Sequence, residues 1–139
     1  MIVYLVRHAR AGSRKDWVGD DRLRPLDERG VRQAEALVSQ LADREFSRIV
    51  SSPYVRCVET VVPLGRARGF DVEETEALAE AAGAGPALEL FRGAEAALVA
   101  CVHGDLVEAL LGEKAKKGST AILEVDASVT LVELLQPQA

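Results

Sequence analysis

Ile-Val-Tyr-Leu-Val-Arg-His-Ala, residues 2–9, is a run of five apolar residues that ends abruptly in arginine and histidine. Such a short, unbroken apolar run predicts a strand buried on both faces, as in a parallel sheet. A similar run occupies 97–102 and is again followed by a histidine, and a shorter one lies at 48–51. The three runs predict the central strands of one sheet.

The segments between these strands show helical patterns. Apolar residues recur at helical spacing behind Asp27, which predicts an amphipathic helix over 28–43 with Asp27 as its N-cap. Ser52 as N-cap and Pro53 as first helical residue predict a second helix, which ends at Gly69. Further predicted elements are a strand at 70–73, helices near 86–95 and 106–111, and a hairpin of strands at 121–125 and 129–134. This alternation predicts a three-layer α/β/α fold with a mostly parallel, mixed sheet.

Length and composition exclude several classes of protein. A chain of 139 residues predicts a single domain over 1–139. A net charge of -5 with 4% aromatic residues argues against nucleic-acid binding and against a polybasic membrane module. Two cysteines are too few for a disulfide scaffold or a four-cysteine zinc site. No signal peptide or membrane span is visible, so we expect a cytoplasmic protein.

Polar residues follow each of the three central strands. They are Arg7-His8, the segment 51–56 and His103-Gly104, and they include both histidines of the chain. Open α/β sheets bind ligands outside the carboxyl ends of their strands, so we expect these groups to converge. Arg7 and Arg56 carry the planar forks that suit tetrahedral oxyanions, and a helix start at Ser52-Pro53 would add backbone N–H groups.

A phosphoryl group is therefore the expected ligand. Two histidines and two arginines around it predict a reaction without metal, in which one imidazole attacks phosphorus and water releases the phosphate. The arginine charges should lower the pKa of that imidazole and keep it neutral. The same charges would balance those of the group in transfer.

These segments resemble the motifs of the histidine phosphatase superfamily, also called phosphoglycerate mutase-like. Residues 5–9 are similar to its Arg-His-Gly signature, with Ala9 in place of glycine. Residues 51–60, Ser-Ser-Pro-Tyr-Val-Arg-Cys-Val-Glu-Thr, resemble its S-S-P-x-x-R-x-x-x-T segment, and 102–104 its second histidine motif. Residues 24–30 resemble the R-P-L-[ST]-x-x-G segment of short bacterial members, which include phosphohistidine phosphatases.

The resemblance implies a role for each matching residue. His8 would carry the phosphoryl group, and Arg7, Arg56 and His103 would hold its oxygens. Glu80 resembles the family's acid that protonates the leaving group, and the nearest substitute for it is Glu76. No cofactor and no metal are implied.

Three further residues are expected to bind substrate. They are Arg10, as part of an electrostatic funnel, together with Ser52 and Gly104. Trp17 would either cap the pocket or pack on the first helix. The loop Lys116–Ser119 would either touch substrate or simply connect a helix to a strand.

The substrate would be a phosphorylated small molecule or a phosphohistidine protein, because the chain lacks long insertions that would enclose the site. The runner-up is a nucleotide or related polyphosphate, since the first loop and the Lys-Gly-Ser loop resemble phosphatase domains fused to Nudix hydrolases. Two other classes stay open: a non-catalytic phosphate-binding module, and a metal-dependent hydrolase using His8, His103 and Asp105.

Overall fold

The computed structural model describes all 139 residues and contains six strands and four α-helices. The strands are β1 (Ile2–Arg7), β2 (Arg48–Ser51), β3 (Val72–Glu74), β4 (Leu98–Val102), β5 (Thr120–Val125) and β6 (Val129–Leu135). The helices are α1 (Glu28–Gln40), α2 (Val55–Arg68), α3 (Ala84–Arg92) and α4 (Gly104–Leu111), with short 3-10 turns at Asp21–Leu23 and Glu76–Leu78. None of the helices combines the length and the apolarity needed to cross a membrane.

All strands form one sheet in the order β3-β2-β4-β1-β5-β6. The first four strands in that order are parallel to one another, and β5 and β6 join as an antiparallel pair beside β1. The predicted mixed, mostly parallel sheet is confirmed. Because Arg7 pairs with Val102, strands β1 and β4 end at the same level of the sheet.

The sheet is covered by helices on both faces, as predicted. Tyr4 and Val6 pack on one face with Leu37 of α1 and Leu64 of α2. Val3 and Leu5 of the same strand point to the other face, where the core contains Phe91 of α3 and Val107 of α4. Alternate residues of β1 therefore enter two separate cores, which is why the strand is apolar throughout.

The start of α2 differs from the prediction. The helix begins at Val55, and its N-cap is Tyr54, which makes no side-chain capping bond. The predicted Ser-Pro cap is therefore wrong. The hydroxyl of Ser52 accepts from Tyr54 N at 3.3 Å and lies 2.8 Å from Nε2 of His103. Pro63 lies inside the helix without ending it, and Gly69 closes it with a φ of 78°, a conformation that favours glycine.

Candidate active site

The two histidines of the chain meet at the carboxyl ends of the parallel strands. His8 follows β1 and His103 follows β4, and their ring centroids lie 5.5 Å apart with an interplanar angle of 66°. The ring of Tyr54 packs edge-on against His103 at 4.5 Å. Residues almost a hundred positions apart are thus brought together, as the strand-end argument predicted.

His8 is held as a neutral ring with one free nitrogen. Its Nδ1 lies 2.8 Å from the carbonyl oxygen of Ala9, which can only accept, so Nδ1 carries the hydrogen and Nε2 keeps its lone pair. The residue as a whole is only 6% exposed. Burial, and after it the charges of His103, Arg56 and Arg7, lower the pKa of His8 to about 3, against the opposing effect of the Ala9 bond. The direction matches the expectation from the arginines, but burial is the larger cause.

His103 makes the opposite arrangement. Its Nε2 lies 2.8 Å from the Ser52 hydroxyl, and the thiol of Cys57 is 3.5 Å from the same nitrogen. When the Ser52 hydroxyl donates to the Nε2 lone pair, the hydrogen of the ring sits on Nδ1. That Nδ1 is buried, lacks a hydrogen-bond partner, and lies 3.6 Å from Glu80 Oε2. His103 therefore offers an N–H donor beside the free nitrogen of His8.

Two arginines add further buried donors around His8. Arg56 is fully buried, and its Nη atoms donate to the backbone and carboxylate of Asp21 and to Glu80. Nη1 of Arg7 donates to the carbonyl of Ala115, and burial lowers the pKa of this guanidinium. The Nε atoms of both arginines are buried without a partner. Together with His103 Nδ1, they are three of the four buried side-chain nitrogen or oxygen atoms that lack one. Unpartnered buried donors around one ring are what a bound oxyanion would satisfy.

Of the two acids considered from the sequence, Glu80 is the one that lies beside the histidines. Its Oε2 lies 3.0 Å from Arg14 Nη2 and 3.3 Å from Arg56 Nη2, and the residue lines the cleft that reaches His8. Glu76 instead pairs with Arg22 at 2.8 Å on the surface and does not line the cleft.

Asp21 is a residue of the site that the sequence did not reveal. Its carboxylate accepts hydrogen bonds from Arg24 at 3.0 Å and from Arg56 at 3.1 Å. Burial raises the pKa of Asp21, but the Arg24 bond and the charge of Arg56 outweigh it and lower the pKa. Asp21 lies in the loop after β1. The acidic and basic residues of that loop alternate as in an ordinary solvated loop, so the sequence does not single out Asp21.

The three expected substrate-binding residues have different positions. Arg10 lines the cleft and is paired with Asp27 at 2.9 Å. Gly104 also lines it, and a Cβ there would lie 2.7 Å from Arg7 Cζ, so glycine is required to seat that guanidinium. Ser52 is fully buried and does not line the cleft. Its hydroxyl lies 2.8 Å from His103 Nε2, and its expected contact with substrate stays a prediction.

Two other motif residues hold the loop that follows β1. The Thr60 hydroxyl accepts from Ala9 N at 2.9 Å and donates to Arg56 O at 2.7 Å, which ties the nucleophile strand to α2. A Cβ at Gly30 would lie 1.8 Å from the carbonyl oxygen of Arg10, so the first turn of α1 touches this loop directly. These contacts explain the threonine and the glycine of the two matching segments.

The site opens into a cleft of about 1130 Å³. Nine lysine and arginine side chains line it, against four carboxylates and one hydrophobic residue, Ala11. Trp17 lies in a smaller neighbouring recess of about 200 Å³, not in the cleft. Asp105, considered above as a metal ligand, accepts a hydrogen bond from Ala81 N, and no three His, Cys, Asp or Glu side chains cluster as a metal site.

The fold and this pair of histidines define a class of protein. Residues 3–89 match the model of the histidine phosphatase superfamily (branch 1), and the chain belongs to that family. The resemblance drawn from the motifs is confirmed.

Particular relatives support the same class. The 8-oxo-(d)GTP phosphatase of Mycolicibacterium smegmatis is 34% identical over 154 aligned positions, which cover 97% of this chain. The chain spans about half, 48%, of that relative's length. A structure named for the phosphohistidine phosphatase SixA from Agrobacterium tumefaciens is 27% identical, with a TM-score of 0.78 over 98% of each chain. The protein histidine phosphatase SixA in complex with tungstate shares the fold, with a TM-score of 0.83 at 21% identity over 98% of this chain and 97% of that one.

Proposed function

We propose that this chain is a metal-independent phosphatase that acts through a covalent phosphohistidine at His8. One observation carries the proposal: a neutral imidazole with a free Nε2 lies among three buried N–H donors that have no partner. An imidazole that is both neutral and surrounded by donors can attack phosphorus while the oxygens of the phosphoryl group are held. Membership of the histidine phosphatase family supports the same reaction.

Each group has a defined part in the reaction. The Nε2 lone pair of His8 forms a bond to phosphorus as the bond to the leaving group breaks. The donors of Arg7, Arg56 and His103 stabilise the charge on the three non-transferring oxygens. Glu80 is the candidate that gives a proton to the leaving group, because it lines the cleft 3.6 Å from His103 Nδ1. Water then attacks the phosphohistidine and gives a proton to Glu80, which releases inorganic phosphate and restores both His8 and the acid.

Two substrate classes agree with the open cleft. A phosphohistidine on a protein surface suits a site with little enclosure, and a neighbour at 27% identity is named for phosphohistidine phosphatase activity. A nucleotide or other polyphosphate suits the cationic lining, and the relative at 34% identity is named for hydrolysis of an oxidised nucleoside triphosphate. The reaction at His8 is the same for both.

The test combines turnover with trapping of the intermediate. The protein should hydrolyse p-nitrophenyl phosphate in excess EDTA, and ³²P-labelled substrate should leave acid-labile label on His8. His8→Ala should abolish both. Loss of activity in EDTA would favour the metal-dependent alternative, and binding of phosphate without turnover or label would favour the binding module. Activity retained in His8→Ala would remove His8 from the mechanism.

A further inference from the structure

The lysines of this chain are all found in one place. There are four, Lys15, Lys114, Lys116 and Lys117, and every one lines the cleft. None of them is within ion-pairing distance of a carboxylate, whereas arginines elsewhere on the surface, such as Arg48, are paired with glutamates. Because the chain as a whole is negatively charged, this is a local concentration of unneutralised cations.

Two of these lysines are carried by a loop that is fixed to the nucleophile strand. The backbone N–H of Gly118 donates to the carbonyls of Arg7 and His8 at 3.1 and 3.0 Å. The N–H of Arg7 donates in turn to the carbonyl of Ser119 at 3.0 Å. Lys116 and Lys117 therefore have their backbone anchored directly beside His8, while both side chains are exposed.

The cations around Lys117 disfavour its own charge. Partial burial of the amine, and after it the charges of Arg7, Arg24 and Arg10, lower the pKa of Lys117, and Asp27 opposes them. Asp27 is already paired with Arg10, and Glu80, another carboxylate of the cleft, is already paired with arginines. An anion bound here would relieve the repulsion that the protein leaves uncompensated.

We infer that Lys116 and Lys117, with Arg10, form a second phosphate subsite next to His8, so that the substrate carries a further phosphate beside the one that is hydrolysed. This inference rests on the proposed function, because it places the second phosphate relative to the phosphohistidine. The expected substrate is therefore a compound with a diphosphate or a longer phosphate chain. The cleft has one hydrophobic lining residue, so recognition acts through the phosphates.

The reaction on such a substrate is balanced without a co-reactant other than water. His8 Nε2 bonds to the terminal phosphorus, and the anhydride P–O bond breaks with its electron pair on the bridging oxygen. That oxygen leaves as part of the shortened phosphate chain, whose new negative charge the lysines neutralise. Water then cleaves the P–N bond, giving inorganic phosphate and restoring neutral His8.

Matched substrates that differ by one phosphate test the subsite. For the wild-type protein in EDTA, kcat/KM for ADP should exceed that for AMP by at least about tenfold, since charged hydrogen bonds to the additional phosphate contribute. Inorganic tripolyphosphate serves as a second arm. If it matches ADP, the phosphate chain alone is recognised. If ADP is much better, the source is a nucleotide. Because the anhydride of ADP also has a better leaving group than the ester of AMP, the subsite is supported by the part of the ADP to AMP ratio that the lysine variant and salt remove.

A double variant, Lys116→Met with Lys117→Met, should lower the ADP to AMP ratio by about tenfold. Arg66→Met is the matched control, because Arg66 is an exposed cation of α2 that does not line the cleft, and it should leave the ratio unchanged. Raising the salt concentration offers a measurement that does not depend on the variant's folding: screening should lower the wild-type ratio.

The two proposals fail in different ways. A wild-type ADP to AMP ratio near one, or a ratio that neither the double variant nor salt changes, would overturn the subsite while leaving phosphohistidine chemistry intact. Turnover of ADP that survives His8→Ala would instead overturn the proposed function.

Discussion

The ends of β1 and β4 carry the same residue type in the same position, and the structure gives the two residues opposite hydrogen-bonding arrangements. His8 uses Nδ1 to donate to the Ala9 carbonyl and leaves Nε2 free. His103 uses Nε2 beside the Ser52 hydroxyl and leaves Nδ1 without a partner. One ring can therefore attack an electrophile, and the other can donate to an oxyanion.

The position at a strand end therefore fixes where each histidine lies but not which of its nitrogens is free. The partner of the second ring nitrogen decides which nitrogen is free and therefore what each histidine can do. A carbonyl can only accept, which fixes His8 in one tautomer. A hydroxyl can donate, which allows His103 to take the other.

The largest test of this contrast is to remove each ring in turn. His8→Ala should lower kcat by roughly 10⁴-fold or more, because it removes the atom that bonds to phosphorus. His103→Ala should cost about 10²–10³-fold, the range for loss of one charge-stabilising donor. The measurements are turnover of p-nitrophenyl phosphate and ³²P labelling of the protein.

The labelling pattern matters more than the rates. His103→Ala should still become labelled, only slowly, whereas His8→Ala should not. Label that persists in His8→Ala and disappears in His103→Ala would reverse the two roles.

A second test displaces the guanidinium of Arg7, a buried donor beside the histidines. Gly104→Ala places a methyl group where Arg7 Cζ would be only 2.7 Å away, so the guanidinium must move. We expect kcat/KM for the aryl phosphate to fall about 10–100-fold, because a displaced donor no longer meets the phosphoryl oxygens.

Gly85→Ala is the control for Gly104→Ala. A Cβ at Gly85 meets no atom within 4 Å, and the residue lies in α3 outside the cleft. It should leave kcat/KM unchanged. Full activity in Gly104→Ala would show that the position of Arg7 does not matter.

Much of the fold could be predicted because its signals are local. The apolar runs that became β1 and β4 are buried on both faces, and such strands are recognised from a few consecutive residues. The prediction for the start of α2 is wrong because it also relies on a local signal. Ser52-Pro53 matches a local capping pattern, but the Ser52 hydroxyl contacts His103, which lies 51 positions away. No local pattern contains that partner.

The features of the candidate site are likewise of two kinds: those that follow from the strand arrangement and those that depend on distant side-chain contacts. Convergence of His8 and His103 follows from parallel strands and required no knowledge of side-chain contacts. Asp21 was missed because its significance comes from Arg56, 35 positions along the chain, and a single acidic loop residue carries no signal of such a partner. The glycine motifs were visible in the sequence, but the Arg7 contact that explains Gly104 was not.

A smaller effect should follow from removing the group that fixes the His103 ring. Ser52→Ala deletes the hydroxyl beside Nε2 and should lower kcat about tenfold, the effect of one hydrogen bond, with little change in KM. Ser51→Ala is the matched control, because its buried hydroxyl donates to the Ser52 carbonyl and does not contact a histidine. Equal losses in both variants would mean that general packing, not the orientation of His103, is responsible.

The smallest effect concerns the protonation of His8 itself. The pKa of His8 is lowered from 6.5 to about 3 in the folded protein, chiefly by burial. Between these values the unfolded chain binds a proton that the folded protein excludes, so the free energy of unfolding falls as the pH falls below about 6.5.

His8→Gln cannot titrate at this position and does not share this loss of stability. Chemical denaturation of both proteins at pH 7 and pH 5.5 should show the wild type losing about 1 kcal/mol more than the variant. An equal loss in the two proteins would mean that folded His8 accepts a proton as readily as the unfolded chain does, and His8 would not be the neutral nucleophile that the proposed reaction needs.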